Sequence, residues 1–177
     1  YEKQLELKAG QVKKLLDEVY IKQNKEPDYV FEGIKGSPKQ FGYRNKMEFS
    51  FGDECKDGPL SLGMHKRGSF YDIVTVDDCR IVDEDFRLIL QTAVTYFKEH
   101  GTPFYHRMRG EGYLRHLLVR KAVKTGEIMV ALITTSQVTS LGEQNEEGLL
   151  AEYTDMLCKL EGDFSGKLVG ILHTQND

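Results

Sequence analysis

The sequence predicts an α+β fold, a mostly antiparallel sheet of five to six strands with about three helices packed on it. Three observations predict it. Phe86, Ile89, Leu90, Ala93, Val94 and Phe97 recur at helical spacing. Residues 43–76 break into short runs punctuated by turn residues, as an antiparallel meander does. Two longer β-rich runs, 113–123 and 127–135, flank "KTGE", which reads as a hairpin turn around Thr125 and Gly126.

In chain order, residues 2 to about 20 read as a helix with Leu5, Val12, Leu15, Leu16 and Val19 on one stripe. A polar linker with Pro27 and Asp28 follows, then a loop, "GSPKQFG". In "FGYRNKMEFSFG", residues 41–52, Tyr43, Met47, Phe49 and Phe51 face one way, and Arg44, Lys46, Glu48 and Ser50 the other. One side suits a core; the other opens with two cations. "DECKDGP" is a turn, and residues 60–66 and 69–76 are two further strands separated by "KRGS". Asp83 is the expected N-cap of the second helix, with Glu84 and Asp85 favourable beside the helix dipole. A third helix is expected from near Asn145 to about Leu160, with Leu149, Tyr153, Met156, Leu157 and Leu160 inward, and a last strand over 167–173.

At 177 residues the chain suits one domain, able to bury roughly 70% of its unfolded surface without a disulfide or metal staple. No apolar run approaches the ~20 residues that span a bilayer, and "YEKQLELKAG" is polar where a signal peptide is apolar. A start at Tyr1 rather than Met suggests a piece of something longer. Three widely spaced cysteines, Cys55, Cys79 and Cys158, argue for a reducing compartment. The net charge of −4 is unevenly spread: residues 105–126 carry a local +5 and residues 143–163 a local −6. Local fields decide what docks where.

No phosphate loop, serine elbow or dinucleotide fingerprint is present. "GEG" at 110–112 has phosphate-loop glycine spacing but follows "HRMR" rather than an apolar strand. No histidine pairs with a second His or Cys at metal spacing. Cys55 and Cys79 sit among carboxylates that disfavour a thiolate, and Cys158 reads as half-buried packing. The cations remain: Arg44, Lys46, Lys66 and Arg67 on the meander, then Arg115, His116, Arg120 and Lys121 in "GYLRHLLVRK". Alternation sends Arg115 and Lys121 with Tyr113, Leu117 and Val119 to one face, and His116 and Arg120 with Leu114 and Leu118 to the other. A solvated sheet face explains such charges. So does an anionic ligand held by guanidinium forks, with Tyr43, Phe70, Tyr71, Tyr105 and Tyr113 able to stack on unpaired bases. The same charges suit single-stranded RNA or an acidic protein partner.

"YEKQLELKAGQV", "GYRNKMEFSFG", "LGMHKRGSFYDIVTVDDCRI", "LRHLLVRKA" and "GKLVGILHTQND", in this order and covering almost the whole chain, resemble the central domain of the SAM-dependent RNA uracil-5-methyltransferases. The resemblance implies a bacterial, cytoplasmic parent with an RNA-binding barrel and cysteine cluster before this segment and a SAM-binding catalytic domain after it. Residues 1–177 are then a single central domain, 1–25 its N-terminal helix and linker and 36–177 its sheet-and-helix body. It implies no catalytic residue, no cofactor and no methyl transfer within this chain. RNA is the implied partner, ribosomal RNA in preference to transfer RNA, along with the parent's own flanking domains. No membrane is involved, and the segment is expected to be a monomer. Arg44 matches the arginine of the family's "YR" motif, an RNA contact; Lys46, Lys66, Arg67, Arg115 and His116 complete the expected RNA-binding set. Cys79, in "VDDC", matches the distant fourth ligand of a 4Fe-4S cluster in members that hold one, and the other three ligands would lie upstream. The alternative function is a module that docks neighbouring domains without touching RNA.

Overall fold

The computed structural model describes all residues, Tyr1–Asp177, as two compact units, Tyr1–Gln40 and Phe41–Asp177. No helix is long and apolar enough to cross a membrane.

In the first unit, α1 (Glu2–Lys22) is the only regular element. Asn24, at φ 51, turns the chain after it. The returning segment is fastened by the Tyr29 hydroxyl donating to Asp17 at 2.5 Å and the Tyr20 hydroxyl donating to Asp28 at 2.6 Å. The rings of Tyr20 and Tyr29 lie 5.7 Å apart. The helix forms where the sequence predicts it, but its apolar stripe has no core to join. Val12, Leu15, Leu16 and Val19 are exposed, and no residue of α1 is buried.

The second unit is a six-stranded sheet in the order β3-β2-β1-β4-β5-β6, built from β1 (Lys46–Asp53), β2 (Leu60–His65), β3 (Ile73–Thr75), β4 (Leu114–Lys121), β5 (Glu127–Thr134) and β6 (Lys167–Gln175). All pairs are antiparallel except β5 with β6. The α+β expectation therefore holds. That last parallel pair needs a crossover, supplied by α3 (Glu146–Lys159). α2 (Glu84–Glu99) and α3 cover one sheet face. Met47, Phe49, Leu117, Val119, Val130 and Leu132 from the sheet pack there with Phe86, Ile89, Leu90 and Phe97 of α2 and Leu149, Tyr153 and Leu157 of α3. Phe97 meets Phe51 edge-on at 5.7 Å and Tyr153 at 4.9 Å.

Several boundaries differ from the sequence reading. Tyr43 and Arg44 are not in the first strand, because Gly42 and Arg44 donate their N–H groups to Arg80 and Ile81 instead of a neighbouring strand. Tyr43 is consequently exposed and does not join the core side. β3 is only Ile73–Thr75, since Ser69 and Phe70 belong to a turn. Cys158 is exposed rather than half-buried, because it lies off the Leu149–Tyr153–Leu157 face of α3.

Asn145 caps α3, accepting the Glu147 N–H at 3.1 Å. Asp83 holds the N-cap position of α2 in extended geometry but caps nothing; its carboxylate pairs with Lys121 at 2.7 Å. Lys121 also reaches Asp85 at 2.6 Å. Asp85 is only 2% exposed and accepts from the backbone N–H groups of Ser165 and Gly166 at 2.8 and 3.0 Å. This knot ties the start of α2 to the end of β4 and to the entry of β6. Burial alone would raise the Asp85 pKa; the bonds from Lys121, Ser165 and Gly166 outweigh it and hold the group below its ordinary 3.8.

Candidate nucleic-acid interface

The helices take one face of the sheet and leave the other open. Cross-strand register decides which side chains stand there. Lys46 pairs with Arg120, Glu48 with Leu118 and Ser50 with His116, while the intervening Met47–Val119 and Phe49–Leu117 pairs point into the core. Lys46 and Arg120 are therefore neighbours on the open face, with Asn45, Met129 and Val169 beside them in a shallow groove.

Arg44 lies just before β1, exposed, its Nε donating to the Lys46 carbonyl at 3.3 Å. No ion pair engages Arg44, Lys46, Arg120, Lys66 or Arg67. Lys66 and Arg67 are exposed in the β2–β3 turn, which closes through the Lys66 N–H to the Asp72 carbonyl at 2.9 Å and turns at Gly68, φ 85. Phe70 and Tyr71 follow in the same turn, 82% and 55% exposed.

Leu114 and Arg115 depart from the expected alternation, while His116 keeps the face it shares with Leu118 and Arg120. The β4–β5 register shifts between Leu114 and His116, a β-bulge that adds one residue to β4. Arg115 is thereby released from the core side. It lines the same hollow as His116, together with Ser50, His65, Tyr71 and Tyr105. Its guanidinium lies over the Tyr105 ring, 5.1 Å from the centroid, and donates to the Asn176 carbonyl. The His116 Nδ1 is 3.2 Å from the Ser50 hydroxyl. Burial lowers the His116 pKa, and Arg115, Arg107 and His65 add to that, with Glu48 opposing them. The shift favours the neutral imidazole.

The six residues expected to meet RNA therefore form two groups. Arg44 and Lys46 sit at the start of β1. Arg115 and His116 line a hollow four residues further along it, roughly 13 Å away, with the Lys66–Arg67 turn next to that hollow's Phe70–Tyr71 rim. Sequence reading missed Arg107, His65 and His106, which line the hollow. Only register could have found them, because they come from different segments. Two residues counted with the cations or aromatics face elsewhere. Lys121 is committed to Asp83 and Asp85. Tyr113 is fully buried and donates to Glu146 at 2.7 Å, which, with burial, pushes its pKa well up and leaves no ring face for a base.

Cys79 is half-buried against the core, its N–H bonded to the Val76 carbonyl at 3.2 Å. No group of three or more His, Cys, Asp or Glu is placed to hold a metal ion. Cys79 alone does not fit an iron–sulfur cluster, which needs several thiolates.

No family model matches the chain. Relatives from Clostridium tetani and Clostridium acetobutylicum, each 48% identical, and from Caldanaerobacter subterraneus, 44% identical, align with all 177 residues; each is named an uncharacterized RNA methyltransferase. The chain covers 36% of each of them, so it spans about a third of the proteins it matches. In fold it is similar to a Pyrococcus abyssi tRNA (uracil-54, C5)-methyltransferase solved in complex with S-adenosyl-L-homocysteine, with TM-score 0.60 and 21% identity over 100% of this chain and 35% of that one.

Proposed function

We infer that this chain, a segment of the RNA methyltransferase family about a third as long as its relatives, is the central domain that grips RNA while another part of the protein methylates uracil. The observation that carries this reading is the open sheet face: Lys46 and Arg120 stand exposed there, with Arg44 exposed just before the strand, and no carboxylate is paired to any of them. A sheet stabilised for its own sake would neutralise two facing cations. Phosphate does so on binding, and its contacts fix the register of the strand without reading sequence.

S-adenosylmethionine would supply the methyl group, held by residues outside these 177. The residues described here bind and orient; none is assigned to bond making. Lys66 and Arg67 extend the grip on the neighbouring turn, and Arg115 and His116 belong to the hollow between. Ribosomal RNA is the proposed substrate. A cytoplasmic setting fits three free cysteines. Cys79 would ligate a cluster only with thiolates from another segment.

The test is salt-dependent binding of a single-stranded ribosomal RNA fragment. The logarithm of affinity should fall linearly with the logarithm of salt, and Arg44→Ala should flatten that slope by about one unit. Salt-independent or absent binding, with normal binding by the full-length enzyme, would instead make this face a dock for neighbouring domains.

A further inference from the structure

We propose that the hollow on the open face seats one unpaired nucleotide of the bound RNA, its base against Tyr105 and the Phe70–Tyr71 turn and its phosphate toward Arg107 and Arg115. The proposal rests on the RNA-binding reading above and goes beyond a phosphate grip, since it assigns a seat for a base as well as for its phosphate.

Four observations carry it. The first is the bulge. A regular β4 would send Arg115 to the core side; one inserted residue puts Arg115 and His116 on the same hollow. Bulges serve to re-aim a side chain in this way. The second is exposure. Phe70, at 82%, and Tyr71, at 55%, leave large apolar area in water that burial would otherwise use. Their turn is nevertheless well built, because the Ser69 hydroxyl accepts the N–H groups of Tyr71 and Asp72 at 3.3 and 3.2 Å. These rings are held out, not frayed out.

The third is hydrogen-bonding capacity. His106 lines the hollow, and its Nδ1 is buried without a partner. A buried polar atom left unpaired costs stability, and a ligand edge that displaced the atoms covering it would relieve that cost. His116 spends Nδ1 on Ser50, and its other ring nitrogen remains. The fourth is the mixture of charge. Asp53, 8% exposed, lines the hollow as well. A carboxylate opposes free phosphate there but accepts from an exocyclic amino group. Aromatic faces, unpaired ring nitrogens, one carboxylate and two guanidiniums match a whole nucleotide better than an isolated anion.

The test uses full-length protein and single-stranded RNA of about twelve nucleotides, within the usual footprint of such modules. Ultraviolet cross-linking should give adducts at Phe70, Tyr71 or Tyr105. Phe70→Ala and Tyr105→Ala should each weaken binding by about tenfold, the cost of one base stack, without changing the salt slope, and Tyr105→Phe should restore affinity. Phe70 is exposed, so its substitution leaves folding intact and keeps the test valid if Tyr105→Ala misfolds. In an RNA scanned with single abasic positions, one position should lose affinity in the parent protein and lose nothing further in Phe70→Ala. A flat abasic scan with unchanged affinity in both variants would overturn the base seat while a normal salt slope kept the phosphate grip. Loss of the salt slope itself would overturn the grip and the seat together.

Discussion

Lys46 and Arg120 are register partners across the β1–β4 ladder, two cations directly opposed with no acid paired to either. Like charges in that position destabilise a sheet, whereas an opposite-charge pair there contributes roughly 0.2–1 kcal/mol. Arg120→Glu converts the repulsion into a cross-strand ion pair. The variant should raise the denaturation midpoint by the equivalent of about 0.5 kcal/mol and weaken RNA binding with a shallower salt slope. Equal RNA affinity in a stabilised Arg120→Glu protein would mean that this pair serves solubility alone.

The Asp85 knot gives a pH prediction with a fixed sign. The folded-state pKa is depressed, so Asp85 contributes stability above its unfolded value and loses it as pH falls through the folded one. Between pH 7 and pH 5 this group should leave the unfolding free energy unchanged. The loss begins near the ordinary 3.8 and grows below it. Asp85→Ala leaves Lys121 with Asp83 as its one carboxylate, frees the Ser165 and Gly166 N–H groups, and should cost about 3 kcal/mol at neutral pH. Urea unfolding from pH 7 to pH 3 should show the acid-limb slope reduced in the variant. The parent slope in Asp85→Ala would assign the acid sensitivity to another carboxylate.

The elements most regular in the sequence were the most legible. α2 and α3 follow the 3.6-residue period of Phe86–Phe97 and Leu149–Leu157, and the alternation of Met47, Phe49 and Phe51 fixed which face of β1 carries Lys46. What stayed hidden depended on partners distant in sequence. An inserted residue at Arg115 shifts alternation only when β5 is laid beside β4. Tyr43 reads as strand because nothing local reveals that its neighbours bond to Arg80 and Ile81. Asp83 has every property of a cap, but Lys121 offers a full charge where the helix offers a dipole. An amphipathic stripe such as that of α1 states which face wants cover and not what covers it.

The core contains no residue of Tyr1–Gln40. Residues 41–177 should therefore fold alone. Their thermal midpoint should match that of the longer chain to within about 2 °C, the shift expected for less than 1 kcal/mol in a domain of this size. Circular dichroism of 1–40 alone should show only partial helix, since most helical stability in proteins comes from tertiary packing and α1 buries no residue. A drop well beyond that margin on removing 1–40 would mean that α1 stabilises the sheet unit.

Gly112 tests how the Tyr105 side of the hollow is held. Its φ is +126, a region that side chains avoid, and a Cβ there would sit 2.0 Å from the Phe104 carbonyl oxygen and 2.5 Å from its carbon. Both obstacles are backbone, so nothing can swing aside. The close approach has a local purpose. Tyr105 donates its N–H to the Leu114 carbonyl at 2.8 Å, Gly112 donates to the Gln137 side chain at 3.1 Å, and Thr135 donates to the Gly112 carbonyl at 2.6 Å. Gly112 is thus the point where the segment carrying Tyr105 and His106 is pinned to the start of β4. Strain plus a backbone clash should cost about 3 kcal/mol or more in Gly112→Ala, lowering the thermal midpoint by about 10 °C. Gly110, at φ +68 with open space around it, is the control: alanine there meets only the left-handed penalty of about 1–2 kcal/mol. The spacing of these two glycines suggests a phosphate loop, but their surroundings give them different tasks, a turn at one and a backbone crossing at the other. Equal destabilisation by the two alanines would show that the Phe104 contact yields, and that the hollow's Tyr105 side is not fixed by this crossing.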